Sequence, residues 1–318
     1  MAPRMAQRFG TISFMSDYGT SDEFVGVVKS VIRSIAPDVV VVDITHDVPP
    51  YDAKAGSLTL ARSAQYLCPG VVLAIVDPGV GTDRRAVAIE VGDGQSYLIG
   101  PDNGLLAPAV AMVGGATAAV ELTNPEYQLE APGPTFAGRD VFAPAAAHLC
   151  SGVPLERLGG SVAVDSLTPG LVPLSREEDG ALVGEVLWVD RYGNCQVNID
   201  PEEIADWDDD RVQLRWSGPR SGVRTARRVH AFDDLRRGQV GLVVDSYGLL
   251  AVAVARGSAA DLLGLNAGDE ITLAPPDDEP VEDEPSAPHH EQEDAQHRGN
   301  QGTATDASVA VTLERRPR

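Results

Sequence analysis

The chain has 318 residues, of which 43% are hydrophobic and 5% aromatic, and it carries a formal net charge of −22. This acidity argues against a nucleic-acid partner, because contacts to phosphates need a basic surface. No apolar run approaches the roughly 18–20 residues that span a bilayer. No apolar stretch after Met1–Gly10 forms a secretory signal, so we expect a cytoplasmic protein that does not contact membranes.

The N-terminal half alternates strand-like and helix-like segments. Asp38–Ile44 contains four valines and an isoleucine, so we expect a strand buried on both faces. This alternation is typical of a parallel sheet with helices on both faces, and we assign residues 10–172 to an N-terminal α/β domain. The predicted strands are Thr11–Met15, Asp38–Ile44, Gly70–Val76, Ala86–Val91 and Ser96–Ile99, and the predicted helices begin at Asp22, at Asp52, after Gly104 and at Arg139.

The composition changes near Leu171–Gly180, and short alternating segments separated by turns follow. Such spacing predicts a smaller C-terminal antiparallel β-barrel domain, which we assign to residues 180–274. The predicted strands are Ala181–Asp190, Asn194–Ile199, Arg211–Trp216, Gly222–Phe232, Gly241–Val244, Leu249–Ala255 and Glu270–Leu273.

The end of the chain is dominated by acidic residues and proline. Because such a segment cannot bury enough apolar surface to offset its ordering entropy, residues 275–318 are predicted to form a disordered acidic tail. The three cysteines, Cys68, Cys150 and Cys195, form no CxxC pair and no metal-ligand spacing. The sequence therefore predicts neither a disulfide framework nor a metal site.

Aspartates follow the predicted strands of the N-terminal half. In open parallel sheets, ligands bind outside the carboxyl ends of the strands. Asp17 and Asp77 lie there inside glycine-containing turns, which favours a functional role. Asp22 can equally cap the following helix. Asp43 and His46 can equally be hydrogen-bonded structural groups.

The loop after the third strand runs from Asp77 to Arg85 and holds two glycines and two arginines. The glycines allow a bound molecule to approach the backbone, and an arginine beside Asp77 would hold that carboxylate ionised and oriented. A surface turn with a weak ion pair remains the alternative. The loop matches neither a P-loop nor a dinucleotide fingerprint, because GK[ST] and GxGxxG are both absent.

Several motifs occur in a specific order, namely Phe14–Thr20, Ile44–Pro50, Asp77–Thr82, Gly100–Gly104, Thr135–Asp140 and Asp190–Asn194. This series resembles the S-adenosyl-L-methionine hydroxide adenosyltransferase family, related to the fluorinase and chlorinase, over roughly Thr11 to Leu273. The resemblance implies the two-domain fold, a homotrimer, and a site between the N-domain of one subunit and the C-domain of its neighbour. Hydrolases of this family convert S-adenosyl-L-methionine and water to adenosine and L-methionine, without a cofactor.

The resemblance also implies roles for N-terminal residues. Asp17 matches the carboxylate that holds the ribose hydroxyls, and Asp22 lies where the halogenases bind the methionine amino group. Tyr51 replaces a tryptophan that packs on the ligand. Asp77 and Arg84 match two members of an Asp–Arg–His triad proposed for the hydrolases.

For the C-terminal domain, Asn194 matches an asparagine that contacts adenine, and Tyr192 matches an aromatic stacking position. Ser246 matches a contact to the methionine carboxylate, and Val254 lies near the adenine. The triad histidine is replaced by Ala137 here. A non-catalytic binder of S-adenosyl-L-methionine or adenosine is therefore one alternative function.

A halide-dependent adenosyl transferase of the chlorinase type is the other alternative. The halogenases carry Tyr and Thr where this chain has Asp77 and Val80, and an anionic Asp77 would repel a halide. The long fluorinase insertion is also missing, since only Gly92–Gln95 joins the two strands. Both differences favour water as the nucleophile, with Asp77 as proton acceptor and Arg84 as the group that orients it.

Overall fold

The computed structural model describes residues 9–217 and 220–276. Its secondary structure alternates strands and helices up to residue 150 and consists mostly of strands afterwards. The strands are β1 (Thr11–Ser16), β2 (Val40–Thr45), β3 (Val71–Ile75), β4 (Ala86–Val91), β5 (Ser96–Pro101), β6 (Ala116–Leu122), β7 (Gly159–Ser161), β8 (Arg176–Glu178), β9 (Ala181–Val189), β10 (Cys195–Val197), β11 (Arg211–Trp216), β12 (Gly222–Val229), β13 (Val240–Val244), β14 (Leu250–Val254) and β15 (Glu270–Ala274). The α-helices are α1 (Phe24–Ile35), α2 (Ala53–Ala64), α3 (Ala107–Met112), α4 (Ala143–Cys150) and α5 (Ala259–Leu263).

The first seven strands form one sheet in the order β2-β1-β3-β5-β4-β6-β7. The first four of these run parallel, whereas β4, β6 and β7 pair antiparallel with their neighbours. Helices α1 and α4 pack together on one face, and α2 and α3 pack together on the other. Because β1, β2 and β3 are parallel, the loops that follow them all lie at the same edge of the sheet.

The helices that flank these loops form for local reasons. In α1, Val25, Val28 and Ile32 are buried at spacings of three and four residues, which places them on one helix face. In α2, the Asp52 side chain accepts a hydrogen bond from the backbone N–H of Ala55 at 2.8 Å and caps the helix. The helix predicted from Arg139 begins instead with a π-helical turn, Gly138–Phe142, that leads into α4.

The expectation that the valine-rich second strand is buried on both faces is wrong. Strand β2 is the edge strand of the sheet and pairs only with β1. Val40 and Val42 are 60% and 43% exposed. A run of apolar residues is compatible with an interior strand and with an edge strand. The composition therefore does not specify the order of the strands.

Strands β9 to β15 close into a seven-stranded barrel because β10 pairs with both β14 and β9, while β8 extends the sheet beside β9. The barrel is mixed rather than purely antiparallel, because β12 and β13 run parallel. The ten residues between these strands let the chain return to the same end before β13 begins. The barrel encloses its own core of Val, Leu and Ile side chains, including Val186, Val212 and Leu242.

Helix α2 packs against the barrel strand β9. The Lys54 Nζ atom lies 2.5 Å from Glu185 Oε1, and the Arg62 guanidinium lies 4.4 Å from the centroid of the Trp188 ring. The domain limits at residues 172 and 180 stay a prediction. The predicted tail, from residue 277 onward, lies outside the described residues. Among the described residues, no helix combines the length and the apolar character needed to cross a membrane.

Candidate active site

The turn after β1 holds Asp17 at the carboxyl edge of the sheet. The backbone N–H of Asp17 donates to the Ile75 carbonyl at 3.2 Å, and Asp17 Oδ2 accepts the backbone N–H of Tyr51 at 2.9 Å. Tyr51 adopts a left-handed backbone with φ of 67° and is 76% exposed. This conformation is costly for a non-glycine residue, so the Asp17 carboxylate helps to hold Tyr51 in it.

A chain of polar side chains lies beneath this turn. Ser16 Oγ is 2.8 Å from His46 Nδ1, and His46 Nε2 is 3.0 Å from Asp43 Oδ1. Lys29 Nζ donates to Asp43 Oδ2 at 2.6 Å. Partial burial works against ionisation of Asp43, but the hydrogen bonds from Lys29 and His46 outweigh it and hold the pKa of Asp43 below its usual value.

This network shapes the turn that carries Asp17. Ser16 and His46 are buried, at 0% and 6% exposure. The His46 carbonyl accepts the backbone N–H of Gly19 at 2.8 Å, so the network contacts the turn at two points. The alternative that Asp43 and His46 are hydrogen-bonded structural groups fits these contacts.

Asp77 and Arg84 form a two-point ion pair at the end of β3. Arg84 Nε donates to Asp77 Oδ1 at 3.0 Å, and Arg84 Nη2 donates to Asp77 Oδ2 at 2.5 Å. Their side chains are only 7% exposed for Asp77 and 12% for Arg84. The loop between them turns at Gly81, whose φ of 79° favours glycine. Solvent screens this pair less than a surface ion pair, but removal of the two charges from water opposes that gain.

The electrostatics of this pair suit proton transfer. Burial raises the pKa of the Asp77 carboxyl, the Arg84 cation and a hydrogen bond from the Gly79 backbone oppose the rise, and the negative charge of Asp17 adds to it. The net direction is upward. The pKa of Tyr18 is also raised, by burial first and then by the charges of Asp17 and Asp77. The negative charges of Asp17 and Asp77 therefore both act on Tyr18.

Two turns of the barrel hold the predicted C-terminal site residues. Asp190 Oδ1 accepts the backbone N–H groups of Tyr192 and Asn194 at 2.8 Å each, and Asp190 Oδ2 accepts the Asn194 amide at 2.8 Å. Tyr192 is 79% exposed. A side chain at Gly193 would collide with Ser258, the residue that caps α5. Gly193 therefore allows the turn to lie close to the start of α5.

The second barrel turn follows the same plan. Asp245 Oδ1 accepts the backbone N–H groups of Tyr247 at 2.8 Å and Leu249 at 3.2 Å. Ser246 is exposed at its tip. The Gln196 amide, on the strand that follows the first turn, donates to Asp245 Oδ2. The two turns are thereby linked at one end of the barrel.

The structure thus brings the predicted residues into two groups. One group contains Asp17, Tyr51, Asp77 and Arg84, and the other contains Tyr192, Asn194 and Ser246. Across residues 9–217 and 220–276, no hydrogen bond or ion pair joins the two groups.

Three residues named in the sequence analysis lie outside these groups. Asp22 is exposed in the turn before α1, and Val254 is buried in β14. Ala137 lies at the start of the π-helical turn and contributes only a methyl group there. Arg139, two residues later, pairs with its neighbour Asp140 at 2.6 Å.

Sequence reasoning missed Ser16 and Tyr18. Ser16 cannot be identified from the sequence, because nothing in the local sequence indicates its contact with His46, thirty residues away. Tyr18 lies inside a motif that was recognised, but its neighbours are set by the fold.

Two family models match the chain. The model of the SAM hydroxide adenosyltransferase N-terminal domain matches residues 12–159, and that of the C-terminal domain matches residues 184–272. The chain belongs to the SAM hydroxide adenosyltransferase family. The resemblance inferred from the ordered motifs is confirmed.

Individual members of the family agree with this assignment. The (R)-S-adenosyl-L-methionine hydrolase of Salinispora tropica is 45% identical over 82% of this chain and 97% of its own length. A fluorinase of Nocardia brasiliensis is 33% identical over 59% of this chain and 70% of its own length. The crystal structure of a conserved uncharacterised protein from Thermotoga maritima superposes with a TM-score of 0.76 at 35% identity, covering 83% of this chain and 99% of that chain.

Proposed function

We propose that this protein hydrolyses S-adenosyl-L-methionine to adenosine and L-methionine. The observation that carries the proposal is the shielded two-point pair of Asp77 with Arg84 at the carboxyl edge of the sheet. The similarity to a named S-adenosyl-L-methionine hydrolase along nearly its whole length supports the same substrate. The named fluorinase is less similar and is matched over a shorter part of the chain.

The chemistry needs little beyond positioning. The sulfonium of the substrate leaves as a neutral thioether, so no general acid is required. A water molecule attacks C5′, a C–O bond forms, the C–S bond breaks with its electron pair going to sulfur, and the Asp77 carboxylate accepts the proton of the water. Holding the water in line with the C–S bond lowers the barrier, because the attack then needs no further loss of translational and rotational freedom. The reaction uses side chains and water, and we propose that no metal or other cofactor takes part.

Arg84 keeps Asp77 able to perform this step. Burial raises the pKa of Asp77 and so increases its strength as a base, while the guanidinium keeps the carboxylate ionised and fixes the orientation of both oxygens. A halide in the same place would meet this carboxylate. At an effective dielectric constant of about 20, two like charges about 4 Å apart repel by roughly 4 kcal/mol.

The remaining predicted residues are assigned to binding. Asp17 holds the ribose hydroxyls, Asp22 binds the methionine amino group, and Tyr51 packs on the ligand. The barrel supplies the other contacts. Its binding residues are Tyr192, Asn194, Ser246 and Val254.

We further propose a homotrimer in which each site combines Asp77 of one subunit with the Asn194 turn of another. Two variants test this arrangement, Asp77→Asn and Asp190→Ala. If sites are shared, subunits of the two variants that are unfolded and refolded together should be more active, at a substrate concentration well below KM, than the mean of the two variants alone. The reason is that some mixed sites then combine an intact Asp77 with an intact Asp190 turn. Light scattering gives the number of subunits. A monomer with full activity would contradict the arrangement.

We also propose that the protein works in the cytoplasm. The three cysteines Cys68, Cys150 and Cys195 are free thiols. Free thiols suit a reducing compartment.

One experiment separates the candidate activities. The purified protein is incubated with S-adenosyl-L-methionine in water enriched in heavy oxygen, with and without chloride. Chromatography and mass spectrometry then follow adenosine, methionine and 5′-chloro-5′-deoxyadenosine. We expect equal amounts of adenosine and methionine, with heavy oxygen in the adenosine. Chloride-dependent 5′-chloro-5′-deoxyadenosine would favour the halide-dependent transferase, and binding without products would favour a non-catalytic binder.

A further inference from the structure

The phenol of Tyr18 contacts the π-helical turn Gly138–Phe142, which also packs against the guanidinium of Arg84. Its ring packs against Phe24 and Phe136, with ring centroids 5.6 and 5.8 Å away, and these two phenylalanines also contact each other at 5.1 Å. The phenol oxygen lies directly over Gly138, where any Cβ atom would collide with it. Two neighbouring aromatic rings and a glycine therefore fix the position of this one oxygen.

The hydroxyl of Tyr18 is a polar group whose partner is not supplied by the protein. Within the described part of the chain it makes no hydrogen bond to a backbone or side-chain group, although its backbone N–H donates to Ser16 Oγ at 3.4 Å. A half-buried tyrosine hydroxyl normally finds a hydrogen-bond partner. Because the side chain is only partly buried, a water or a bound molecule can supply that partner.

The surroundings decide the protonation state of this hydroxyl. Burial and the negative charges of Asp17 and Asp77 all raise the pKa of Tyr18. The phenol therefore keeps its hydrogen around neutral pH. It cannot serve as a base, but its oxygen lone pairs can still accept a hydrogen bond.

The hydrogen bonds that the neighbouring carboxylates already accept restrict what Tyr18 can do. Asp17 Oδ2 accepts the backbone N–H of Tyr51, and Arg84 engages both oxygens of Asp77 without exhausting their lone pairs. A water molecule that attacks carbon must direct a lone pair at that carbon. If each of two acceptors takes a hydrogen bond from one hydrogen of the water, a lone pair of the water is left pointing at the carbon.

We propose that Tyr18 is a catalytic residue that holds the attacking water, with the phenol oxygen accepting one hydrogen while Asp77 accepts the other. The proposal rests on the proposed hydrolysis. In the reaction the hydrogen facing Asp77 is transferred as a proton, and the hydrogen facing Tyr18 stays on the new 5′-hydroxyl of adenosine. Tyr18 itself gains and loses no proton.

The test is the conservative change Tyr18→Phe, which removes the hydroxyl and keeps the ring packing. We expect kcat for adenosine release to fall about tenfold to a hundredfold, the effect of losing one well-placed hydrogen bond to a reacting group. We expect KM and the affinity for S-adenosyl-L-methionine, measured by calorimetry, to stay at the wild-type values. A merely structural role would change the affinity and the thermal unfolding midpoint together with kcat.

Two further variants serve as controls. Tyr66→Phe makes the same chemical change at a tyrosine that is 73% exposed in the turn after α2, and its kinetics should match the wild type. Phe24→Leu loosens the aromatic cluster without removing the hydroxyl. It should reduce kcat less than Tyr18→Phe does.

The outcomes distinguish this proposal from the hydrolysis on which it rests. If the wild type releases no adenosine, the hydrolysis is wrong and the water-holding role is wrong with it. If the wild type is active and Tyr18→Phe equals it, only the role of Tyr18 is wrong. A raised KM with unchanged kcat would also overturn the role, because it would make the hydroxyl a substrate contact.

Discussion

Aspartates appear in two regions of this molecule and are used in different ways. At the edge of the N-terminal sheet, the Asp77 carboxylate faces a side-chain cation and has a raised pKa. In the barrel, Asp190 and Asp245 each accept two backbone N–H groups of their own turn. The same residue type therefore supplies reactivity in one region and a scaffold in the other, depending on which partners occupy its oxygens.

This difference separates chemistry from recognition. The barrel turns satisfy their own backbone and point Tyr192 and Ser246 outward, as suits the binding of a flat base or a small polar group. At the sheet edge, burial raises the pKa of the Asp77 carboxyl. Substitutions of Asp77 should therefore change kcat, and substitutions in the two barrel turns should change KM.

The largest effect is expected for Asp77→Asn. The amide keeps the shape of the side chain but cannot accept a proton, so kcat should fall about 10²- to 10⁴-fold while S-adenosyl-L-methionine still binds. Adenosine release followed by chromatography measures it. Asp93→Asn, at an exposed turn with φ of 54° that asparagine tolerates, is the matched control. Full activity in Asp77→Asn would contradict the proposed base.

A smaller effect, of the binding type, is expected for Asp17→Asn. The amide oxygen can still accept the Tyr51 backbone N–H, but the charge that would hold the ribose hydroxyls is lost. Hydrogen bonds to a charged group stabilise by about 1.5–3 kcal/mol, which corresponds to a rise in KM of about 10- to 100-fold. Steady-state kinetics measure the change. A fall in kcat with unchanged KM would place Asp17 in the chemical step instead.

The pH dependence of Arg84→Met examines the electrostatic account directly. Asp77 accepts a proton only when ionised, so kcat falls as the pH drops through the pKa of Asp77. Burial raises that pKa above the ordinary value of about 3.9, and Arg84 opposes the rise. Removing Arg84 should therefore move the acidic limb of the kcat profile to higher pH, by about 1 to 3 pH units.

The profile must be compared between wild type, Arg84→Met and Arg84→Lys. Lysine keeps the charge but not the two-point geometry. Its limb should therefore lie between those of the other two proteins. A limb that stays in place in Arg84→Met would show that another group controls it.

The sequence predicts the position of the strand-end aspartates because that position depends on local patterns. Apolar runs place β1 and β3 correctly, and Asp17 and Asp77 follow directly from where those runs stop. The prediction for β2 was wrong because the order of the strands, and so the edge position of Val40, is a property of the whole sheet.

Contacts between distant residues were equally beyond reach. The phenol of Tyr18 lies over Gly138, about 120 residues later in the chain, and no spacing or motif connects the two. The parallel pairing of β12 with β13 was missed for a related reason. Two neighbouring strand patterns do not show whether the chain returns to the same end of the barrel between them.

The smallest effect is expected for Asp190→Ala, in the barrel. The change removes the acceptor of two backbone N–H groups and of the Asn194 amide, so the turn should loosen and KM should rise about tenfold with kcat unchanged. Asp200→Ala is the matched control, because Asp200 likewise accepts a backbone N–H, that of Glu202, at 2.8 Å. Both variants should unfold at slightly lower temperature, but only Asp190→Ala should change KM. Equal kinetics for the two would mean that the barrel turn stabilises the fold without contacting the substrate.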